Sequence, residues 1–168
     1  MPDSFSPRVA MIDEPVGTPL WFVFQAGKLL VLENDTTLHV PEMSSLSQFD
    51  FNPVRQHYLG QLLNQPCYCI ELADDVTMPE GASLLGLREV FGRIADDHFA
   101  LAGRAIQILN WDRSHQYCGA CATPTKLKEN ERARVCPSCG LLSYPRLAPA
   151  VMALVRRKRQ LLLARSPN

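Results

Sequence analysis

Four cysteines carry the most specific chemistry in this 168-residue sequence: Cys118-Gly119-Ala120-Cys121 and, after a gap of fourteen residues, Cys136-Pro137-Ser138-Cys139. Each CxxC places two sulfurs at the tip of a tight turn, and a gap of this length allows a short hairpin to bring the tips together. Four thiolates around one ion suit zinc and exclude calcium and magnesium, which are hard ions that take oxygen ligands. With all four positions filled by protein, the ion has no opening for a substrate, so its expected role is structural. Two redox pairs or two disulfides are the competing reading. That reading leaves the repeated spacing unexplained and needs an oxidising compartment that nothing in the sequence implies. A rubredoxin-type iron centre uses the same ligands and remains the alternative ion. His115, three residues before Cys118, is read as a surface or supporting histidine, because four thiolates already complete the set.

The elements that must position these sulfurs come before and after them. Leu20 to Leu32 reads as two strands joined at Ala26-Gly27-Lys28, with aromatic and β-branched residues favouring strand and Gly27 permitting the turn. A turn at Asn34-Asp35, a short strand at Leu38-His39-Val40, then His57-Tyr58-Leu59-Gly60 and the alternating Pro66–Leu72 continue the β pattern. Cys67 and Cys69 fall on one side of that last strand and read as small buried hydrophobes. Leu84, Leu87, Phe91 and Ile94 are spaced 3, 4 and 3 apart, which predicts a helix over 83–95. Phe99, Ala102, Ile106 and Leu109 predict a second over 97–110, with Asp96 and Asp97 at its start. Both helices are expected to pack on the sheet. The fold class is therefore α+β: a sheet-and-two-helix domain over 1–112, a zinc ribbon over 113–147, and a further piece over 148–168.

Within the ribbon, Lys126 to Arg134 alternates charge with small or apolar residues, as a solvated hairpin arm does. Tyr144-Pro145-Arg146-Leu147-Ala148-Pro149 reads as an extended connector, because each proline biases its predecessor away from helix. Val151–Val155 and Leu161–Arg165 read as strands covered on both faces, joined by a turn at 156–160.

At 46% apolar and 20% charged, the chain has the composition of a globular protein. Its zero net charge hides a split: residues 1–112 carry 6 Lys and Arg against 15 Asp and Glu, and residues 113–168 carry 11 against 2. The basic half either offsets the thiolates and solvates the ribbon or attracts phosphates, of a nucleotide or of RNA. The N-terminus lacks the basic start and apolar run of a signal peptide, and no stretch approaches the roughly 18 apolar residues of a membrane span. A cytoplasmic protein with no membrane partner is expected.

One ordered set of segments goes further. It runs His57-Tyr58-Leu59-Gly60, Leu87-Arg88-Glu89-Val90-Phe91, Arg104 through Trp111-Asp112-Arg113, Tyr117 to Cys121, Cys136 to Gly140, Tyr144 to Val151, and Leu161 to Arg165. In that order they resemble the NADH pyrophosphatase branch of the Nudix hydrolases, over nearly the whole chain from about residue 20. The resemblance implies an N-terminal α/β domain, a zinc ribbon and a C-terminal catalytic Nudix domain, in a homodimer. It implies cleavage of NAD(H) to nicotinamide mononucleotide and AMP, with removal of NAD caps from RNA by some members. It also carries over one substrate-contact candidate, Tyr144, against the alternative of a connector tyrosine packed on the ribbon. The family's Gly-x5-Glu-x7-Arg-Glu-x2-Glu-Glu-x-Gly box, whose carboxylates hold magnesium or manganese, is not found in these residues; Glu89 follows Arg88 but lacks the Glu-Glu pair. The expectation is the N-terminal portion of such an enzyme, inactive alone, with 148–168 beginning the Nudix domain. The rival is a zinc-ribbon module that binds RNA or braces a dimer without chemistry.

Overall fold

The computed structural model describes residues 1–10, 17–34, 37–44, 49–146 and 151–163. Among these, seven strands form one mixed sheet: β1 (Phe5–Pro7), β2 (Leu20–Gln25), β3 (Lys28–Asn34), β4 (Thr37–His39), β5 (Arg55–Leu62), β6 (Gln65–Leu72) and β7 (Ala82–Leu85). The order is β1-β5-β6-β2-β3-β4, with β7 also pairing β3; β2 and β6 run parallel and every other pair is antiparallel. Two tight hairpins among the described residues turn at Ala26-Gly27 and Leu63-Asn64, and both residues of each turn have positive φ. That is the turn geometry whose twist matches the strands it joins.

The helix α2 (Asp96–Ser114) lies on one face of the sheet. Its buried residues Leu101, Ala105, Ile108 and Asp112 recur at helical spacing, and the first three join Leu20, Phe22 and Phe24 of β2 in one apolar cluster. The odd residues of β2, Trp21 and Val23, point to the other face, where they cluster with Met43 and Phe51 and with Ile70 and Leu72 of the neighbouring β6. Trp21 Nε1 donates to the Met43 carbonyl at 2.9 Å. Both faces are covered, so every residue of β2 is buried, and a core ring such as Phe22 contributes about 1.5–3 kcal/mol by leaving water. Cys67 and Cys69 are fully buried in the helix-side cluster, as their alternation implies.

Three sequence expectations are corrected. No helix spans 83–95: Ala82–Leu85 pairs with β3 as a strand, and only one turn of helix, α1 (Leu87–Val90), follows Gly86. A run of leucines satisfies either period, and an open edge on β3 decides for strand. Phe91 consequently stands 69% exposed, while Ile94 is buried. The second helix is longer than 97–110 and carries no side-chain cap; Asp96 and Asp97 occupy its first turn, where they complement the dipole. Val151–Val155 forms no strand; the strands that do form, β11 (Arg156–Arg157) and β12 (Gln160–Leu161), fall within and at the end of the expected 156–160 turn, and Val151, Met152, Leu154, Leu162 and Leu163 around them are exposed. Two short strands supply no layer to bury each other's faces, so the expected burial on both sides is not met among the described residues. Asp35 of the expected turn, Leu147 to Pro149 of the connector, and Ala164 and Arg165 lie outside the described residues.

Candidate metal centre

A second sheet, β8 (Lys126–Leu127), β9 (Arg134–Val135) and β10 (Leu142–Ser143), carries Cys136 and Cys139 in its β9–β10 turn, while Cys118 and Cys121 lie just before β8 in a turn closed by the Tyr117–Pro124 bridge. The two knuckles repeat one backbone pattern. Cys118 N–H donates to the Thr123 carbonyl and Ala122 N–H to the Cys118 carbonyl; Cys136 N–H donates to Leu141 and Gly140 N–H to Cys136, all at 2.9–3.0 Å. Each knuckle closes with a left-handed residue, Ala122 at φ 59° and Gly140 at φ 74°. Ala120 N–H points at the Cys118 sulfur and Cys139 N–H at the Cys136 sulfur, both at 3.4 Å.

The four sulfurs lie within 4.8 Å of one another. Cys118 and Cys139 are 3.5 Å apart, Cys121 and Cys136 3.5 Å, Cys121 and Cys139 3.7 Å. A tetrahedral zinc with sulfurs about 2.3 Å away sets its ligands about 3.8 Å from each other, so the donor set fits zinc with little movement. These separations are far longer than a disulfide bond. Titration argues the same way. The Thr123 side chain and N–H pull the Cys121 thiol down to about 6. Cys139, although the Leu141 backbone favours its thiolate, is pushed up to about 12 by the neighbouring sulfurs. Thiolates this close repel, and a divalent cation is what lets all four ionise.

The centre is fastened to the large sheet through Asp112, near the end of α2. One carboxylate oxygen meets His57 Nε2 of β5 at 2.8 Å; the other accepts from Gln116 at 3.0 Å and pairs with Arg134 Nη1 of β9. Arg134 also donates to the Thr125 hydroxyl and carbonyl and to Gln116 Oε1. Asp112 is 4% exposed and Arg134 7%, so this is a buried ion pair with its remaining donors satisfied. Beside it, Arg132 Nη2 donates to the Arg8 and Tyr58 carbonyls at 2.7 and 2.8 Å. The Lys126–Arg134 arm is therefore solvated only in part, since its last two arginines turn inward. Sequence alternation could not show this, because the partners lie on strands far away in the chain. Asp112 itself had one signal: it falls on the buried stripe of α2, where a lone carboxylate needs a cation.

His115 stays outside the sulfur cluster, its Nδ1 2.8 Å from the Trp111 carbonyl. Tyr144 lies half exposed beside β10, and its hydroxyl donates to Glu131 at 2.6 Å. Glu131 is also paired with Lys128, and Glu89 accepts from Gly86 N–H at 2.6 Å. No helix among the described residues is long and apolar enough to cross a membrane.

Comparison with known proteins agrees with this geometry. A family model described as the NADH pyrophosphatase zinc ribbon domain matches residues 113–144, which contain both knuckles. One described as the NADH pyrophosphatase-like rudimentary NUDIX domain matches residues 18–111, the large sheet and most of α2. Among curated relatives, the NAD-capped RNA hydrolase NudC of Deinococcus radiodurans is 41% identical over 153 residues, covering 89% of this chain and 51% of the relative. Those of Stutzerimonas stutzeri and Chromobacterium violaceum are 38% and 35% identical, covering 73% and 88% of this chain and 44% and 53% of the relatives. The chain spans about half the length of the curated relatives it matches. With its sheet, helix and four-sulfur ribbon in the order of those two models, the chain belongs to the NADH pyrophosphatase family of Nudix proteins.

Proposed function

We propose that this chain is the N-terminal and zinc-ribbon portion of a Nudix hydrolase that cleaves the pyrophosphate of NAD(H) to nicotinamide mononucleotide and AMP, and acts also on NAD-capped RNA. One observation carries the reading. The two family models match in succession, over 18–111 and 113–144, and the relatives sharing that stretch bear the name NAD-capped RNA hydrolase. In this reading residues 1–112 form the N-terminal domain, 113–147 the ribbon, and 148–168 the beginning of the Nudix domain. The exposed apolar residues around β11 and β12 support the last assignment, since among the described residues nothing covers that hairpin.

Cys118, Cys121, Cys136 and Cys139 are assigned as the ligands of one structural zinc. All four positions are then thiolates, no water is activated there, and the ion braces the fold. Tyr144 is proposed as a substrate contact, its exposed ring available for stacking while Glu131 orients its hydroxyl. Magnesium or manganese, when bound, would polarise the pyrophosphate and orient the attacking water. Among the described residues the four cysteines are the one group placed to hold an ion, and no carboxylate cluster makes a site for magnesium or manganese. From Cys118 onward the only carboxylates are Glu129 and Glu131, and Glu131 is engaged by Lys128 and Tyr144. The family resemblance supports a homodimer, and thiolates held for a metal support a cytoplasmic setting.

The test is to assay the complete gene product with NADH and manganese and to follow nicotinamide mononucleotide by chromatography. Absence of product across NADH, NAD and a capped RNA would leave the binding-module rival, which the exposed arginines favour.

A further inference from the structure

Between the N-terminal segment, α2 and the ribbon runs a groove of about 380 Å³ lined by Pro7, Arg8, Val9, Arg104, Gln107, Ile108, Arg132, Tyr144, Pro145 and Arg146. It is within the size range of a small-molecule site. Four of its lining residues are arginines, and no carboxylate lines it among the described residues. These arginines come from residues 8, 104, 132 and 146 and meet only because α2 and the ribbon close on the β1 end of the sheet.

Their pairing is incomplete. Arg132 spends one nitrogen on two carbonyls. Arg104 lies with its guanidinium 5.9 Å from the centre of the Phe5 ring, and Nε of both Arg8 and Arg104 is buried with no hydrogen-bond partner. Burial and the charge of Arg104 both work against the charged form of Arg132. Buried donors without acceptors and like charges held in one cavity are each unfavourable, and an anion removes both costs at once.

We propose that this groove is a phosphate-binding site, taking the phosphate oxyanions of a nucleotide or of a nucleic-acid chain on Arg8, Arg104 and Arg146. Guanidinium forks match phosphate oxygens in pairs, and walls of low polarity concentrate the field of the cluster. Beside the arginines and Gln107, the walls formed by Val9, Ile108, Pro145 and the Tyr144 ring are apolar, which suits a ribose or base beside a phosphate and gives bare sulfate less to hold. This site lies apart from the four sulfurs; it shares Tyr144 with the proposed substrate contact but rests on the arginines, not on the hydrolase reading. Its failure would leave the assay of the complete gene product untouched.

The experiment titrates the 168-residue chain with inorganic pyrophosphate and with a single-stranded uridine oligonucleotide at low and high salt. The Arg8→Gln/Arg104→Gln variant is compared with the parent at equal zinc content and equal thermal midpoint. The expected result is affinity at low salt that weakens about tenfold or more in the variant, since two charge-assisted contacts are lost. For the oligonucleotide, the salt slope should fall by about one to two. Loss for the oligonucleotide alone identifies a nucleic-acid backbone as the source, and loss for pyrophosphate alone a free nucleotide; either keeps the site. Should the double variant fold poorly, Arg146→Gln at the exposed lip is expected to weaken binding several-fold with the fold intact. The proposal is overturned if the parent binds neither probe at low salt. It is equally overturned if binding survives these substitutions and disappears on neutralising Arg156, Arg157 and Arg159.

Discussion

Asp112 and Arg134 form a buried ion pair that joins the end of α2 to the central strand of the ribbon, while His57 of the large sheet holds the other oxygen of the same carboxylate. Three parts of the chain thus converge on one side chain. Such a pair is expensive to assemble and more expensive to break, because removing one partner strands the other charge away from water. Asp112→Asn should therefore destabilise the protein by about 3–5 kcal/mol in urea unfolding near neutral pH. Arg134→Met with Asp112→Leu should cost far less, since no charge is then left buried. A double variant no better than the single one would show that the pair's charge balance is not the issue.

The same carboxylate sets a pH dependence. Burial raises its pKa, but the His57 hydrogen bond and charge and the Arg134 charge outweigh that and hold it below its ordinary 3.8. A carboxyl depressed in the folded state contributes stability that is fully present above 3.8 and is lost as pH falls through its lower folded value. The stability gap between the parent and Asp112→Asn should stay constant above 3.8, narrow as the pH falls below it, and be lost once the pH has passed the lower folded value. A gap that closed well above 3.8 would show that this carboxylate does not set the dependence.

One zinc per chain is expected, with metal–sulfur distances of about 2.3 Å by X-ray absorption. Metal binding of this kind is coupled to folding, so chelation, or Cys118→Ala with Cys136→Ala, should release the ion and loosen residues 113–147 by hydrogen exchange while β2 and β6 stay protected. Full zinc retention in the double variant would contradict the ligand assignment.

The remaining thiols should be inert. Burial pushes Cys67 up to about 11 and Cys69 up to about 12, so at neutral pH neither is a thiolate. Iodoacetamide applied to the chelated native protein should label the ribbon cysteines and spare these two, as read by mass spectrometry. Labelling of Cys69 before unfolding would mean that the sheet opens locally.

Two glycines should respond differently to alanine. Gly140, at φ 74°, has nothing within 4 Å of where a Cβ would sit, so Gly140→Ala costs only the strain of a left-handed alanine, about 1–2 kcal/mol. At Gly60, φ 131°, a Cβ would lie 2.1 Å from the Ser6 carbonyl oxygen, a backbone atom of β1 that cannot rotate away. Gly60→Ala should detach β1 or cost well over the Gly140 figure in thermal unfolding.

The 168 residues alone should not turn over NADH with manganese. Steady formation of nicotinamide mononucleotide that tracks the purified chain would place catalytic groups within these residues, where Glu129 and Glu131 are the only carboxylates from Cys118 onward.

What the sequence determined by itself was whatever depends on short-range spacing. The CxxC pairs define two knuckles because a turn of that length has few conformations. The Ala26-Gly27 turn and the alternation of Cys67 and Cys69 were legible for the same reason, and the ordered motifs identified the family. Tertiary structure decided what depends on residues distant in the chain. Leu84 and Leu85 obey helical and strand spacing equally, and only the open edge of β3 made them a strand. Arg134 reads as one more charge on an exposed arm until Asp112, 22 positions earlier, meets it in the interior. Arg8 and Arg104 become neighbours only when α2 packs over the sheet. Local pattern constrains backbone geometry within a few residues, but charge pairing and cavities depend on which surfaces packing brings together, and no spacing along the chain encodes that directly.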